Sequence, residues 1–424
     1  SGYSPRSQTR LDPGQSTFRV DLGPVAAGAS TANQHWGPAV DNPIVLGNNA
    51  AGFPHVFAGT SKPLDLWLFK VHGRAVWGDL RQSDFTLDPD SPSRRYMSGV
   101  VGLIQPRGVP GLELGAGRFF HQDWPGDGLT LRDLWKPLES VLKVNLPVPP
   151  SGDVERRDSD NQVASAWLRW VFPHSGFELY GEWGKEDHNW DLRDLIQEPD
   201  HESGYTLGFR KLWNLSRTGF WAFRAEQMNL QVSQIIRGRQ QGSFYRHGLT
   251  TQGHTQRGQI LGSEFGVGGS ATTVRLERYR QDGRWSIYWN RMLRQDRGTF
   301  WETGDRVDRA WDVIQAVGGE GLLSRGRWEI TGGLTAMLNL NRNFERDVFN
   351  LNGWIGVRAG LGSRTARASE AVRAGRAVPS PLSTASRADP SVDSPTPPPT
   401  DFIGRVTGAP TERERTYQIL GWSS

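Results

Sequence analysis

The sequence predicts an all-β protein, a transmembrane antiparallel β-barrel with short helices in its loops, and three observations lead there. The first is strict alternation. In the run 177–184, Phe177, Leu179, Gly181 and Trp183 share one face while Glu178, Tyr180 and Glu182 share the other. That is a strand with an oily side and a wet, charged side. The second is recurrence: the same pattern returns between turn signals along most of the 424 residues, whereas no run of about 18 apolar residues is present to make a membrane helix. The third is composition. Only 36% of residues are hydrophobic and mean hydropathy is −0.55, too polar for a helical membrane protein. A membrane barrel tolerates this because only alternate residues face lipid. The 18 Trp and 18 Phe suit an aromatic girdle at the headgroups, and the 51 Gly suit tight turns and crowded walls. Composition alone fits a large soluble β-protein equally well; alternation decides.

Taken in order, the expected strands are 18–28, 63–78, 95–105, 111–120, 162–172, 177–184, 204–213, 219–227, 255–262, 271–280, 284–292, 310–323, 327–340 and 348–361. Asp282-Gly283 is a tight-turn signal joining two of them, and 173–176 and 324–326 are similar short turns. After Asp282-Gly283, Trp285, Ile287 and Trp289 lie on one face and Ser286, Tyr288 and Asn290 on the other. Likewise Trp221 and Phe223 oppose Arg224 and Glu226. The aromatic sets are expected outside and the charged sets inside.

Links in the middle of the chain alternate between short (107–110, 173–176, 214–218) and long (121–160, 185–203, 228–254). Membrane barrels have short periplasmic turns and longer outer loops. The alternation fails near 263–283, which suggests a strand missed within 228–254. The stretch 29–62 is out of phase and reads as an inner segment filling the lumen. Two loops carry helical signals. Thr130-Leu-Arg-Asp133 resembles a capping box, with Leu131, Leu134, Trp135, Leu138, Val141 and Leu142 at helical spacing and Pro137 kinking or shortening the helix. Residues 189–196 read as a second short helix. Residues 1–361 form the expected barrel; 362–424, with eight Pro and three aromatics, read as a disordered Pro/Ser/Arg-rich tail.

Little in the chain resembles catalysis. With no Cys, disulfides, zinc–thiolate sites and cysteine nucleophiles are excluded. No P-loop, nucleophile elbow or His-Glu-x-x-His motif occurs. The net charge of +4 and the lack of a basic run give no reason to expect nucleic acid. The acidic cluster Glu182, Glu186, Asp187, Asp191, Asp194, Glu198, Asp200 and Glu202 has no spacing that singles out a catalytic pair or a calcium loop. No cofactor or metal is expected. The stretch 245–262 mixes aromatic, imidazole, guanidinium and amide groups with glycines. Such groups suit sugar recognition, by ring stacking and by hydrogen bonds to hydroxyls or carboxylates. They equally suit a polar ladder inside a barrel.

At this point the residues resemble a known family. Tyr245–Gly262, Glu178–Asp194, Gln34-His-Trp-Gly-Pro38 with Asn48–His55, and Gly73–Leu80 are similar to the signature stretches of the capsule-assembly Wzi family, over about residues 29–361. The resemblance implies a monomeric bacterial outer-membrane barrel of about eighteen strands, preceded by a periplasmic helical part. It also implies a lectin-like, non-enzymatic role in attaching capsular or exopolysaccharide to the cell surface. About fourteen strands are legible, so the first strands and the helical part are expected to be absent from this sequence. A porin-type diffusion channel and a barrel-embedded envelope hydrolase are the alternatives. The expected glycan contacts are Asp187, Trp190, Tyr245, His247, His254 and Arg257; Arg257 pairing with Glu182 inside the wall is the rival reading for that residue.

Overall fold

The computed structural model describes residues 14–83, 94–126, 128–139, 160–186, 192–231, 242–246, 252–294, 311–342 and 346–360. Sixteen strands form one sheet, and each neighbour along its path is antiparallel. Three short strands open it: β1 (Thr17–Leu22), β2 (Val25–Ser30) and β3 (His55–Thr60). A short β4 (Leu64–Leu66) pairs only with β5 (Phe69–Arg81). The wall continues through β6 (Arg94–Pro106), β7 (Leu112–Asp123), β8 (Asn161–Phe172), β9 (Phe177–Glu186), β10 (Ser203–Ser216) and β11 (Gly219–Asn229). Two further strands, β12 (Thr255–Gln256) and β13 (Gln259–Ile260), pair only with each other. The wall resumes with β14 (Ser270–Arg280), β15 (Gly283–Arg294), β16 (Asp312–Arg325), β17 (Trp328–Arg342) and β18 (Arg346–Ala359). From β5 onward the wall strands run 10 to 15 residues, enough to cross a bilayer that needs about 9–11.

The sheet wraps around residues 31–54. Within that segment Trp36, Ile44, Val45, Leu46 and Phe53 are buried. It touches β6 and β7 through Trp36, β9 through Ile44 and β11 through residues 40–42, so the wall surrounds it. A Cβ added to Gly99 or Gly117 would lie 2.7 or 2.9 Å from the Trp36 ring; glycine makes room for the indole. The predicted faces hold. Glu182, Arg224 and Glu226 point inward and are buried, while Trp183, Trp285 and Trp289 are exposed on the outside. Outward rings near the short turns form a girdle: Trp170 to Phe172 (4.9 Å between centroids), Phe177 to Phe209 (5.9 Å), Phe209 to Phe223 (5.8 Å) and Trp221 to Trp285 (5.3 Å).

Inside, on β6–β10 toward the same end, runs a ladder of charge. Glu113 accepts from Gln105 and Arg169 (2.9 Å each), and Glu178 accepts from Arg169 (2.8 Å) and Arg210 (2.7 Å).

Several expectations need correction. The single strand 18–28 is a hairpin, because Gly23-Pro24 turns the chain with Gly23 at φ +63°. The strand 63–78 is likewise split between β4 and β5. The inner segment does not extend to 62: residues 55–60 are β3, a wall strand. The stretch 255–262 is not wall but the inward hairpin β12–β13, and β11 pairs directly with β14. The broken alternation thus came from one strand too many, not one too few. Residues 230–269 form one long connection, and short links at 217–218 and 281–282 flank it in phase. The capping box at Thr130 forms, and the helix α1 (Leu131–Trp135) passes into a 3₁₀ turn at Pro137. The second short helix covers Leu192–Gln197. The tail 362–424 lies outside the described residues.

Candidate functional site

The inner segment 31–54 and the connection 230–269 meet beneath the long-loop end of the barrel. The segment is latched to the wall by strand β11, whose alternation aims Arg224 and Glu226 inward. The Glu226 carboxylate accepts from the backbone N–H of Val40 (2.7 Å), Asp41 (3.1 Å) and Asn42 (2.6 Å), and from the Tyr180 hydroxyl (2.7 Å). Successive amides converging on one carboxylate satisfy a turn that has no ladder of its own. Arg224 grips Asp41 through two hydrogen bonds of 3.0 Å, the bidentate geometry of guanidinium and carboxylate. Trp36 is held from the other side. It stacks edge-on to Phe119 at 6.1 Å and its N–H faces Gln34 Oε1 at 3.4 Å. Gln34 in turn contacts His55 at 2.7 Å.

The connection folds over this segment. Tyr245 donates its backbone N–H to Glu186 (2.7 Å) and its hydroxyl to the Ile44 carbonyl. His254 Nε2 lies 2.6 Å from the Val45 carbonyl, its ring stacked on Tyr245 at 5.2 Å and edge-on to Phe119 at 5.3 Å. A carbonyl neighbour requires the proton on Nε2. His254 lies in a loop inside the barrel, and burial lowers its pKa from 6.5 to about 4. Arg95 donates to the Gly253 and Thr255 carbonyls, and Asn49 Nδ2 to the Ile260 carbonyl (2.9 Å).

The hairpin β12–β13 turns at Arg257 (φ +53°) and Gly258 (φ +76°), both left-handed as a two-residue hairpin turn demands. Its tip reaches the end of β5 that leads into a long connection. Arg257 N–H donates to the Arg81 carbonyl (2.7 Å), Arg81 N–H to Gln256 Oε1 (2.7 Å), and Ser83 N–H to Gln252 Oε1 (2.8 Å).

Of the expected glycan contacts, Tyr245 and His254 are thus brought together, but buried and committed to holding the plug; their ring faces are covered. Arg257 is half-buried at the hairpin tip. Asp187, Trp190 and His247 lie outside the described residues. Sequence reasoning assigned no partner to Glu226 and Arg224, although alternation had turned them inward. Nothing in the sequence spacing ties them to residues 40–42, some 185 positions away. Among the described residues no three His, Cys, Asp or Glu side chains converge as metal ligands.

A family model described as capsule assembly protein Wzi matches residues 3–350. Among solved structures the fold is similar to that of Wzi, a carbohydrate-binding β-barrel of the Escherichia coli outer membrane involved in group 1 capsule assembly. The two share 14% identity over 80% of this chain and 68% of that chain, with a TM-score of 0.57. The outer membrane channel DcaP of Acinetobacter baumannii aligns at 9% identity over 84% of this chain and 100% of that chain, with a TM-score of 0.31. No curated protein matches the chain.

Proposed function

From the premise that this chain belongs to the capsule assembly protein Wzi family, we propose that it is an outer-membrane barrel that binds capsular or exopolysaccharide at its outer mouth and holds it at the cell surface without chemical turnover. The protein acts as a monomer. A diffusion channel needs an open lumen, and residues 31–54 occupy the lumen here, which argues for the binding role over the porin role.

The observation that carries the reading is Arg257. A left-handed backbone costs a non-glycine residue roughly 1–2 kcal/mol, and Asn is the usual residue at that turn position. An arginine there, with Gly258 beside it, trades turn stability for a guanidinium at the hairpin tip. Guanidinium suits the carboxylates and hydroxyls of an acidic polysaccharide. Asp187 and Trp190, in the connection between β9 and β10, and His247, in the hairpin's own connection, complete the glycan contacts. Tyr245 and His254 hold the hairpin from beneath, as positioning residues.

The test is retention of polysaccharide on cells, with heat-modifiable gel migration as the measure of an intact barrel. Arg257→Asn should leave migration unchanged, since it suits the turn at least as well, and should lower retention several-fold. If retention falls only in proportion to lost barrel, Arg257 is part of the wall's support. Unchanged retention after Arg257→Asn combined with Trp190→Ala, with the barrel folded, would remove the site.

A further inference from the structure

Outside the barrel, the loop that follows β7 leans back over the wall. Its helix α1 is only five residues long, too short to persist alone. The capping box between Thr130 and Asp133 closes its first turn. Two outward side chains then tie it down: Trp77 donates its indole N–H to the Leu134 carbonyl (2.9 Å), and the Tyr96 hydroxyl reaches the Asp133 carbonyl (3.2 Å). Between this loop and the outer faces of β1, β2, β3 and β5 lies a cleft of about 720 Å³, within the roughly 300–1,000 Å³ of small-molecule pockets. Cross-strand pairing sets its floor as one row: Phe18 opposite Ala29, Ala29 opposite Val56, and Val56 opposite Trp77. Leu129 and Leu134 form its side.

The floor and side are apolar, but the mouth is not. At the long-loop end, Asp79 is shared by Arg81 and Arg94, each at 3.1 Å, and both arginine side chains are nearly half exposed. Two half-exposed guanidiniums thus face one carboxylate at that end of the cleft. The carboxylate of Asp133 is turned into its capping box instead. The far side of the helix presents Leu131, Trp135 and Leu138, all exposed. That stripe is ill-suited to water and well suited to the acyl boundary of a bilayer.

We propose that this cleft is a binding site for one phosphorylated lipid of the outer leaflet, with an acyl chain along the Phe18–Ala29–Val56–Trp77 row and the phosphate at Arg81 and Arg94. A membrane-facing groove can be filled only from the bilayer, and the charge at its mouth selects an anionic headgroup. Its place beside the long loops assigns it to the outer leaflet. The site rests on the outer-membrane reading and is independent of the glycan contacts.

Native mass spectrometry of the full chain, delipidated in detergent and given phosphatidylglycerol or phosphatidylcholine, tests this. The wild type should retain one phosphatidylglycerol at collision energies that strip phosphatidylcholine, with at least a ten-fold difference in bound fraction. Ala29→Trp fills the cleft and should abolish that retention while heat-modifiable migration persists; Val56→Phe serves if Ala29→Trp fails to fold. Arg81→Gln with Arg94→Gln should make the two lipids equal. Equal retention by the wild type and the cleft-filled variant, or no preference between the lipids in the wild type, would overturn the assignment.

Discussion

His254 is a buried imidazole whose only route to charge is through the plug it supports. Burial is the larger cause of its lowered pKa, about 4 against 6.5 when unfolded, and the Arg95 guanidinium adds to it while the Val45 carbonyl opposes. The unfolded chain therefore binds the proton first as pH falls. Stability from this group is fully present above pH 6.5 and is lost progressively down to pH 4, by up to roughly 3 kcal/mol. Unfolding free energies of the wild type and of His254→Gln, compared at pH 7.5 and pH 4.5, check this. The variant should show a smaller loss over that interval; an equal loss would place the pH sensitivity elsewhere. The sequence made His254 conspicuous through its glycine-rich, polar setting. It could not show that the same setting serves a packed interior, because the ring's neighbours Phe119 and Val45 come from distant parts of the chain.

At the scale of elements, β5 to β11 and β14 to β18 were legible because each keeps one face apolar, and a one-residue slip would reverse every side chain. The errors fell where that rule lapses. Strands β1, β2 and β3 have only six residues each, too few alternations to separate a hairpin from one longer strand. The hairpin β12–β13 has only two residues in each strand, too few for alternation to separate it from wall. The partnership between β6, β7 and Trp36 was invisible for another reason: it is written in missing side chains. Gly117→Ala should push a methyl to 2.9 Å from the Trp36 ring and destabilise the barrel by about 1–3 kcal/mol, as overpacking does. Trp36→Phe should recover part of that loss in the double variant. Urea unfolding midpoints measure both; additive losses would mean that the ring and the glycine do not meet.

For the whole molecule, wall and plug are joined most densely at β11. Replacing Glu226 with Ala leaves the amides of Val40, Asp41 and Asn42 without their carboxylate, and each buried unpaired donor costs about 1–3 kcal/mol. The plug should loosen before the wall does, since the wall's ladders are untouched. Planar-bilayer recordings should show the wild type nearly closed and Glu226→Ala with frequent openings, while heat-modifiable migration stays. A wild type that conducts steadily would contradict a filled lumen.

The ladder from Glu113 through Arg169 and Glu178 to Arg210 bears on how such a wall is built. A slip of two residues keeps oily and wet faces correct, so the hydrophobic pattern cannot detect it. Charge can: shifted by two, each arginine would face the wrong neighbour, and carboxylates would be stranded in a dry interior. The ladder is thus a proofreading key for strand insertion, read only when four neighbouring strands are in step. Arg169→Met withdraws the cation between Glu113 and Glu178. Its defect should be in yield, with more chains stalled or misassembled during refolding into lipid vesicles, and those that do finish should unfold at a lower urea concentration, since a buried carboxylate that loses its cation costs about 3–5 kcal/mol. A normal refolding yield would show that register is checked elsewhere.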